Sequence, residues 1–385
     1  MKDILELRNE IDSIDKEIVA LYEKRVKASE AVARYKINTG KPVLDTNREA
    51  QKIREIKELA STPFNGQSLE SIFAHIMAIS RMRQYMLMAD EMQDTTGFRL
   101  IEAAINKQTK VVFQGVKGAY GQQAMEGYFG QGIDSFNVET FQETMEVIKN
   151  NRAEYGVLPI ENSSTGIITD VYDLLERYEN YIVGEYVVKV EHALLGLPDA
   201  LIDDIKTVYS HPQGLLQCRR FLDEHEQWEQ ISLQNTAIAA KKVVDDGNKF
   251  QAAIASERAA KAYGLKVLKS QINDIDNNST RFIIIKSKKE YVKEANQVSI
   301  CFELPHASGS LYNILAHFIF NDINMTKIES RPIRGEKWRY HFFIDFEGNL
   351  MDKSVKSALT GISSETKNFR ILGNYVRSKD ENSNE

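Results

Sequence analysis

Apolar residues near the start of the chain repeat at the spacing of one helix face. From Ile4 they follow alternating steps of three and four residues until Gly40 and Pro42 end the pattern, which predicts one long helix. The apolar stripe comprises Ile4, Leu7, Ile11, Ile14, Ile18 and Leu21 and resumes at Ala28, Val32 and Tyr35. At about 1.5 Å per residue the helix spans about 50 Å. A compact domain of this size cannot cover such a helix, so we expect a second copy of the chain to share the stripe in a homodimer.

Two further helices are predicted after the first. Residues 46–49 have the pattern of a capping box, which begins a second helix that continues to about Leu59. Pro63 and the turn residues after it precede a third helix over residues 68–92. Residues 1–93 are therefore predicted to form an all-α domain of three helices.

The hydrophobic period changes after this helical segment. Residues 94–109 have mixed polarity and a weak helical pattern, which is typical of a linker with a partly helical middle. Between residues 110–287, β-branched or aromatic runs alternate with helical stretches, which indicates an α/β domain. A charged stretch at 286–296 indicates a second linker. Residues 296–375 follow the order strand, helix, strand, strand, helix, strand (βαββαβ) of an α+β module, and residues 376–385 form a polar tail.

Composition restricts the class of protein. The 385 residues exceed the usual length of one domain and favour a multidomain chain of two or three. The 49 basic and 55 acidic residues give a net charge of −6, the wrong sign for a general nucleic-acid binder. Without an apolar run of about 18 residues or a signal-type start, we expect a cytoplasmic protein with no membrane partner. Cys218 and Cys301 lack the spacing of a disulfide framework or zinc site, and we expect no metal or cofactor.

Two cations interrupt the apolar face of the first helix. Arg25 occupies a position where the spacing requires an apolar residue, and Lys36 lies about three turns further on nearly the same face. Buried cations require an anion. Each candidate alone has an ordinary alternative, because Arg8 and Arg48 could be solvated surface residues and Arg25 could extend from the dimer seam.

Taken together, a set of polar and apolar positions in the helical segment keeps a specific spacing. The set comprises Leu7, Arg8, Ile11, Asp15, Arg25, Lys36, Pro42, Val43, Asp45, Arg48, Glu49, Ser80 and Gln84. On these positions residues 1–92 resemble the all-helical chorismate mutases. The resemblance implies an intertwined dimer that rearranges chorismate, a dianion, to prephenate without a nucleophile or proton transfer. It further implies that Arg25, Arg48 and Arg8 of the other subunit hold the carboxylates. Lys36 and Gln84 would then donate hydrogen bonds to the ether oxygen, and Glu49 would accept the ring hydroxyl. Asp45 and Ser80 would position their neighbours.

Polar residues cluster where the predicted strands of the α/β domain end. The clusters lie at 118–120, 161–166, 210–213, 235–237 and 278–282. The glycines near residue 115 lack the spacing of a nucleotide-binding loop, and no H-E-x-x-H metal pattern is present. Hydroxyl, amide and backbone N–H groups suit a small carboxylate between two lobes. One such cluster alone would be an ordinary set of caps and turns.

Five motifs occur in one order along this domain. They are Phe113-x-Gly115-x-x-Gly118-x-Tyr120, residues 158–163, residues 210–218, residues 253–256 and residues 278–282. On these motifs the segment resembles prephenate dehydratase. The resemblance implies an α/β fold of two lobes, similar to type II periplasmic binding proteins, with a site in the cleft that converts prephenate to phenylpyruvate. Gly121 departs from the serine or threonine usual in that family, which implies one hydroxyl contact fewer.

The implied elimination removes CO₂ and a ring hydroxyl, and hydroxide leaves only when it accepts a proton or a strong hydrogen bond. A neutral threonine hydroxyl can donate without a pKa near 7 if decarboxylation is concerted, and Thr280 is the candidate. Arg281 could pair with a substrate carboxylate or form a structural salt bridge. The resemblance implies binding roles for Asn162, Ser163, Ser210, Gln213 and Gln217. Cys218 is interpreted as a buried small hydrophobe rather than a nucleophile.

The C-terminal segment carries two short motifs. They are Gly309, Ser310 and Leu311, and then Glu329, Ser330, Arg331 and Pro332. With these motifs residues 296–375 resemble the ACT domain, and the second matches the phenylalanine-binding motif of its dehydratase-linked form, although Ser310 replaces the usual alanine. A glycine at a strand-to-helix turn lets a carboxylate approach the N–H groups of the helix N-terminus. The alternative is a degenerate domain used only for dimerisation.

The three resemblances describe consecutive steps of one pathway. Prephenate, the product implied for the first domain, is the substrate implied for the second, and phenylalanine is one transamination further. We therefore expect a bifunctional enzyme acting on chorismate and prephenate, feedback-inhibited by phenylalanine and assembled as a homodimer or as dimers paired into tetramers. The alternative is a binding protein or sensor, in which the helices only dimerise and the lobes bind an aromatic acid without turnover.

Overall fold

The chain divides into two compact units. The computed structural model describes residues 3–91, 96–102, 109–307, 309–333, 335–336 and 338–378. Within these ranges, unit 1 comprises the residues up to 97 and residues 297–371, and unit 2 comprises residues 98–296 together with those from 372 onward. The predicted boundaries of 1–93, 110–287 and 296–375 stay predictions. The described residues contain no helix that is both long and apolar enough to cross a membrane.

Unit 1 begins with three helices, α1 (Ile4–Thr39), α2 (Thr46–Glu58) and α3 (Pro63–Glu91). The predicted long helix is confirmed, and it ends where Gly40 takes a left-handed φ of 65°, which glycine adopts without strain. The apolar stripe of α1 is not covered within the chain, because Ile11, Ile14 and Ile18 are each more than half exposed, at 56%, 51% and 57%. The predicted homodimer would cover this exposed stripe.

The starts of α2 and α3 differ from the predicted ones. The N-cap of α2 is Asp45, whose Oδ1 accepts the backbone N–H of Arg48 at 2.9 Å, so the capping group lies one residue earlier than the predicted box. The third helix begins at Pro63, earlier than the predicted start at Ser68, because Thr62 Oγ1 accepts the Asn65 N–H and proline is favoured at the first helical position.

Unit 2 contains the α/β elements, and the predicted two lobes are present as two separate sheets. In chain order the elements are β1 (Arg99–Ile101), β2 (Lys110–Gln114), α4 (Tyr120–Phe129), β3 (Asp134–Val138), α5 (Phe141–Lys149), β4 (Tyr155–Asn162), β5 (Gly166–Ile167), α6 (Thr169–Arg177), β6 (Tyr181–Lys189), β7 (Ala193–Gly196), β8 (Thr207–Ser210), α7 (Pro212–Leu216), α8 (Arg219–Asp223), β9 (Glu229–Ser232), α9 (Thr236–Asp246), β10 (Gln251–Ala255), α10 (Glu257–Tyr263), β11 (Lys266–Lys269), β12 (Ser279–Lys286) and β13 (Glu290–Val292). The first lobe has the strand order β6-β12-β4-β2-β3, and the second lobe has the order β11-β7-β10-β8-β9.

The central strands of the second lobe are buried on both faces. Leu195 and Ala253 belong to the core on one side of the sheet, whereas Leu194 and Ile254 belong to the core on the other. This explains why these strands are continuously apolar, and it leaves only the strand ends for polar groups. In the first lobe β12 runs antiparallel to β4 and β6, with Thr280 opposite Asn162.

Each of the two predicted linkers contains a short strand. Strand β1, within 94–109, pairs in parallel with β13, within 286–296, and Arg99 lies opposite Glu290. The buried Glu290 carboxylate pairs with Lys286 at 2.7 Å and with Arg99 at 3.3 Å. The two predicted linkers are thus paired with each other through short strands, which the sequence did not predict. The predicted helical middle falls on residues 103–108, outside the described residues, as does the polar tail beyond 378.

The segment after residue 297 has the predicted order βαββαβ. Its elements are β14 (Gln297–Glu303), α11 (Ser310–Phe320), β15 (Met325–Pro332), β16 (Tyr340–Glu347), α12 (Lys353–Glu365) and β17 (Lys367–Tyr375). We call residues 297–371, which belong to unit 1, the C-terminal module. Its core includes Phe318 against Phe346, with ring centroids 5.1 Å apart, and α12 packs against α3. Its interpretation as an ACT domain stays a prediction.

Candidate active sites

A cavity of about 300 Å³ lies between the three helices of unit 1. Its lining comprises Arg25, Ala28, Ser29, Val32, Lys36, Val43, Asp45, Arg48, Glu49, Met77, Ser80, Arg81 and Gln84. Seven of the eight residues predicted for the dianion site are among them. The eighth, Arg8, lies on the exposed first turns of α1, away from this cavity. Four cations against two carboxylates give the lining a net charge of +2, which complements a dianion.

Arg25 enters the cavity from α1 and is held by Ser80 of α3. Its Nη1 donates to Ser80 Oγ, and the Ser80 hydroxyl donates in turn to the carbonyl of Ile76 at 2.8 Å. Burial lowers the pKa of Arg25, and the charges of Tyr22 and Glu49 partly oppose that shift. The guanidinium therefore has a fixed position in a partly desolvated place, where it interacts more strongly with an anion.

Lys36 lies at the other end of the cavity, in the last turn of α1. Its Nζ donates to the carbonyl of Val43 at 2.6 Å. Burial lowers the pKa of Lys36, and the charges of Asp45 and Glu49 partly oppose that shift. One hydrogen bond uses one of the three donors of an ammonium group, so the others remain for a molecule in the cavity.

The remaining predicted groups lie on α2 and α3. Asp45 caps α2, and Arg48, on its first turn, is exposed, with Nη1 3.9 Å from Glu55 Oε1. Gln84 is buried, and its Nε2 donates to the Ser80 carbonyl at 3.2 Å and to Ser29 Oγ at 3.4 Å. The helices thus bring together cations, carboxylates, hydroxyls and an amide, with no cysteine or histidine among the lining residues, which suits a reaction that needs only binding and charge.

In unit 2, Asn162 and Thr280 meet where β4 and β12 pair. Asn162 Nδ2 donates to Thr280 Oγ1 at 2.9 Å, and both residues are 9% exposed. Asn162 Oδ1 accepts the backbone N–H groups of Ser164 at 3.1 Å and Thr165 at 3.2 Å, which fixes the orientation of the amide. Because Thr280 Oγ1 already accepts a hydrogen bond, its own proton is directed elsewhere and can be donated.

Two more predicted residues join this network. Ser163 Oγ accepts the backbone N–H of Ser279 at 2.9 Å. Gln217, which follows α7 in the second lobe, donates through Nε2 to Ser164 Oγ at 2.8 Å. The network therefore connects the two lobes next to Thr280.

Comparison with known proteins decides the family. The family described as "Prephenate dehydratase" matches residues 111–290, and "Chorismate mutase type II" matches residues 7–85. A bifunctional chorismate mutase/prephenate dehydratase of Pseudomonas aeruginosa is 31% identical over 377 residues, which cover 96% of this chain and 97% of the relative. The chain belongs to the bifunctional chorismate mutase/prephenate dehydratases. Chorismate mutase and prephenate dehydratase are thus its two activities, and both serve phenylalanine biosynthesis.

Two solved structures are similar to the part of the chain that contains the dehydratase. A prephenate dehydratase from Arthrobacter aurescens, solved in complex with L-Phe, is 29% identical with a TM-score of 0.65 and covers 70% of this chain and 90% of its own. GqqA, described as a novel type of quorum-quenching acylase, is 30% identical with a TM-score of 0.65 and covers 70% of this chain and 98% of its own. Neither covers the full length of this bifunctional chain.

Two residues at these candidate sites, Arg81 and His192, were missed in the sequence. Arg81 is a buried cavity residue of the mutase, and a cation in the apolar stretch 76–82 of α3 was the signal that could have found it. In the dehydratase, His192 lies 3.0 Å from Gln217 Oε1 and 3.2 Å from the Tyr120 hydroxyl. Burial lowers the pKa of His192, which the hydrogen bond with Gln217 only partly offsets. No spacing in the sequence singles out His192.

The other residues predicted for the dehydratase lie apart from Thr280 or are paired. Ser210 is fully buried, and its hydroxyl donates to the carbonyl of Ile254 at 2.8 Å. Gln213 is exposed on α7. Arg281 forms ion pairs with Glu161 and Glu185, each at 3.2 Å. These pairs match a structural salt bridge, which was the alternative to pairing with a substrate carboxylate. Substrate contact by these three residues stays a prediction.

The predicted effector residues occupy two places in the C-terminal module. Gly309, with a left-handed φ of 80°, is the N-cap of α11, and Ser310 and Leu311 form its first turn. The Ser310 hydroxyl donates to the carbonyl of Ala307 at 2.9 Å. The second motif, residues 329–332, ends strand β15. Their assignment to phenylalanine stays a prediction.

The cysteines and the potential metal ligands add no further site within the described residues. Cys218 and Cys301 are both buried and free, which confirms the interpretation of Cys218 as a small hydrophobe. Burial, together with the charge of Asp274, raises the pKa of the Cys218 thiol to about 12, so it is not a thiolate near neutral pH. In the described part of the chain, no group of three or more His, Cys, Asp or Glu side chains is arranged to hold a metal ion.

Proposed function

We propose that chorismate binds and rearranges in the cavity between α1, α2 and α3. The observation that carries this proposal is the net charge of +2 on a lining that holds seven of the predicted residues. Arg25 and Arg48 bind the two carboxylates, Glu49 accepts the ring hydroxyl, and Asp45 and Ser80 keep their neighbours in position. The remaining donors of Lys36 face the ether oxygen, and Gln84 donates to the same oxygen through the Nε2 hydrogen that otherwise makes the long 3.4 Å bond to Ser29 Oγ.

The cavity would accelerate the rearrangement by holding one conformer and by stabilising charge. The reaction is intramolecular, so binding the compact conformer removes most of the entropic barrier. As the carbon–oxygen bond breaks, negative charge develops on the ether oxygen. A positioned ammonium group stabilises that charge more in the transition state than in the bound substrate.

A second copy of the chain would complete this site. The apolar stripe of α1 is exposed along most of its length, whereas the cavity-lining face of its C-terminal half is partly buried. A homodimer in which the stripes pack together covers the apolar side chains, and it places Arg8 of the partner subunit within reach of a substrate carboxylate. Pairing of such dimers into tetramers is compatible with this arrangement.

Mixed dimers test whether Arg8 acts across the subunit boundary. Arg8→Ala and Arg48→Ala chains should each have low mutase activity, because each lacks a carboxylate-binding cation. Co-expression of the two variants should restore about a quarter of the native activity, since half of the dimers would be mixed and each would contain one intact site. If Arg8 served its own subunit, both sites of a mixed dimer would stay defective and no activity would return.

Prephenate would be consumed beside Thr280. Loss of CO₂ supplies the electron pair that aromatises the ring, and the departing hydroxide accepts a hydrogen bond from the Thr280 hydroxyl. Asn162 keeps the acceptor side of that hydroxyl occupied, and Ser163 and Gln217 border the same network. Ser210, Gln213 and Arg281 keep the binding roles that the family resemblance implies. We assign the mutase to residues 1–93 and the dehydratase, with a fold similar to type II periplasmic binding proteins, to residues 110–287.

Residues 296–375 are proposed to be an ACT domain that senses phenylalanine. The backbone N–H groups at the N-terminus of α11, opened by Gly309, suit the carboxylate of an amino acid. The relative from Arthrobacter aurescens was solved with L-Phe bound, which supports phenylalanine as the effector. Feedback inhibition requires phenylalanine to bind the less active arrangement of the protein more tightly.

A backbone substitution at Gly309 tests the effector site. With chorismate as substrate the native chain should form phenylpyruvate, and phenylalanine should lower that rate. Gly309→Ala should weaken inhibition by about tenfold, because an L residue is strained at a φ of 80° although its Cβ would have open space. Gly247→Ala is the matched control, since Gly247 has a φ of 58° and equally open space at the end of α9. Equal phenylalanine affinity with and without substrate would argue against feedback.

A further inference from the structure

A buried ion cluster joins the mutase cavity to the C-terminal module within unit 1. Arg81 is 5% exposed, and its Nη1 lies 2.7 and 2.6 Å from the two carboxylate oxygens of Glu49. Its Nε donates to Glu365 Oε1 at 3.1 Å. Glu365, in the last turn of α12, belongs to the C-terminal module, and its side chain is 5% exposed. Arg81 therefore connects a cavity carboxylate with a carboxylate 284 residues further along the chain.

The C-terminal module holds Glu365 in place. His317 of α11 is fully buried, with Nε2 3.5 Å from Glu365 Oε2. Gly361 provides the room for that imidazole, because a Cβ at this position would collide with His317 Cε1. Burial alone would raise the pKa of Glu365, but His317 and Arg81 outweigh burial and lower it. The carboxylate is therefore ionised and anchored from the side of the module.

The Arg81 guanidinium has little rotational freedom, because it is held by both Glu49 and Glu365. It is planar, so a bond from Nε to Glu365 fixes the direction in which Nη1 points. Nη1 in turn holds both oxygens of Glu49. The orientation of Glu49 at the cavity wall is thus set by a residue of the C-terminal module.

Unrestrained, Glu49 has competing partners in the cavity. Its charge influences the pKa of both Arg25 and Lys36, which shows that it lies close to these cations. A carboxylate free to turn toward Lys36 would accept the N–H that the proposed reaction needs at the ether oxygen. We propose that Arg81 is a positioning residue of the mutase and that Glu365 of the C-terminal module holds it, so that Glu49 faces the substrate and Lys36 stays available. This inference rests on the proposed function of the cavity.

The first test replaces one anchor in the full-length chain. Glu365→Gln should lower the mutase kcat by about tenfold, and Arg81→Met should lower it by about 100-fold, the size of effect that a misplaced group produces. The rate of prephenate consumption should be unchanged in both. Lys353→Met is the matched control, because Lys353 also pairs α12 with α3, at 3.1 Å from Asp90, but both partners are exposed. A native mutase kcat in Glu365→Gln, or an equal loss in the control, would overturn the proposal.

A double-mutant cycle separates positioning from stability. If Arg81 acts through Glu49, then Arg81→Met/Glu49→Gln should be no slower than Glu49→Gln alone, whereas additive losses would contradict the proposal. Arg81→Met leaves Glu365 buried without its partner, so Arg81→Met/Glu365→Gln serves as a second variant in which both charges are removed. It should keep the kcat loss of Arg81→Met with a native unfolding temperature. A native kcat in that pair would show that the cluster serves only stability.

The same variants distinguish this inference from the function on which it rests. If the cavity were not the mutase site, Glu49→Gln and Lys36→Ala would both leave prephenate formation intact. If the cavity is the site but Arg81 has no positioning role, those two variants lose the activity while Glu365→Gln keeps it.

Discussion

Replacing Lys36 with alanine should lower the mutase kcat about 1000-fold, while added prephenate is consumed at the native rate. Lys36 lines the cavity and spends one donor on the carbonyl of Val43 at 2.6 Å. In the proposed mechanism the other donors meet an ether oxygen that gains negative charge only as its bond breaks, so the loss should fall on kcat more than on KM. Prephenate formation from chorismate and consumption of added prephenate, measured separately, check this result.

Two further lysine variants control for charge and position. Lys24→Ala removes an exposed cation from the same helix and should change neither activity. In the native chain the mutase rate should fall at alkaline pH, and because burial lowers the pKa of Lys36, the fall should begin below the range of an ordinary lysine. Lys36→Arg keeps its charge throughout that range, so whatever activity it retains should not show this decline. Loss of both activities in Lys36→Ala would mean that the two sites are not separate.

Replacing Thr280 with valine should lower the dehydratase kcat about 100-fold and leave chorismate rearrangement intact, so prephenate should accumulate. Valine has nearly the shape of threonine but cannot donate a hydrogen bond. In the native chain Asn162 donates to Thr280 Oγ1 at 2.9 Å, which leaves the hydroxyl proton for the departing hydroxide. Phenylpyruvate formation from added prephenate measures the effect directly.

A serine at the same position separates the hydroxyl from the methyl group. Thr280→Ser keeps the donor and should retain most of the dehydratase activity. If Thr280→Val were as active as the native chain, the leaving group would have to be assisted by another residue, and the assignment of Thr280 would be wrong. Equal losses in the serine and valine variants would indicate that shape rather than hydrogen bonding matters.

The long helix could be predicted because apolar residues repeat along it at helical spacing. The stripe from Ile4 and the stop at Gly40 agree with α1. The start of α3 could not be placed as well, because Asn65 and Gly66 have the composition of a turn although they lie in the first turns of the helix, after Thr62 and Pro63. The strand β1 has three residues, too few to show any period, and it is stabilised by pairing with a strand far along the chain.

Some residues of the candidate sites could likewise be predicted from the sequence, and others could not. Polar positions such as Arg25, Lys36 and Thr280 stood out by interrupting a pattern or by matching a motif. The role of Arg81 depends on Glu365, a contact between distant segments that no local pattern contains. Ser210 matched a motif equally well, yet its hydroxyl donates to the carbonyl of Ile254. Motif membership therefore did not indicate which way a side chain points.

The division of the chain into units also constrains when each unit can complete its fold during synthesis. Unit 1 contains residues 297–371 in addition to its three helices, and unit 2 includes residues from 372 onward. In unit 2 the backbone N–H of Ser378 donates to Glu185, the partner of Arg281 beside Thr280.

Domains usually fold in the order in which the ribosome releases them. Here the mutase helices emerge first but must wait for Glu365 to meet Arg81, and the dehydratase lobes must wait for the last residues described. The two units therefore reach the form described here only after residues 365 and 378, respectively, have left the ribosome.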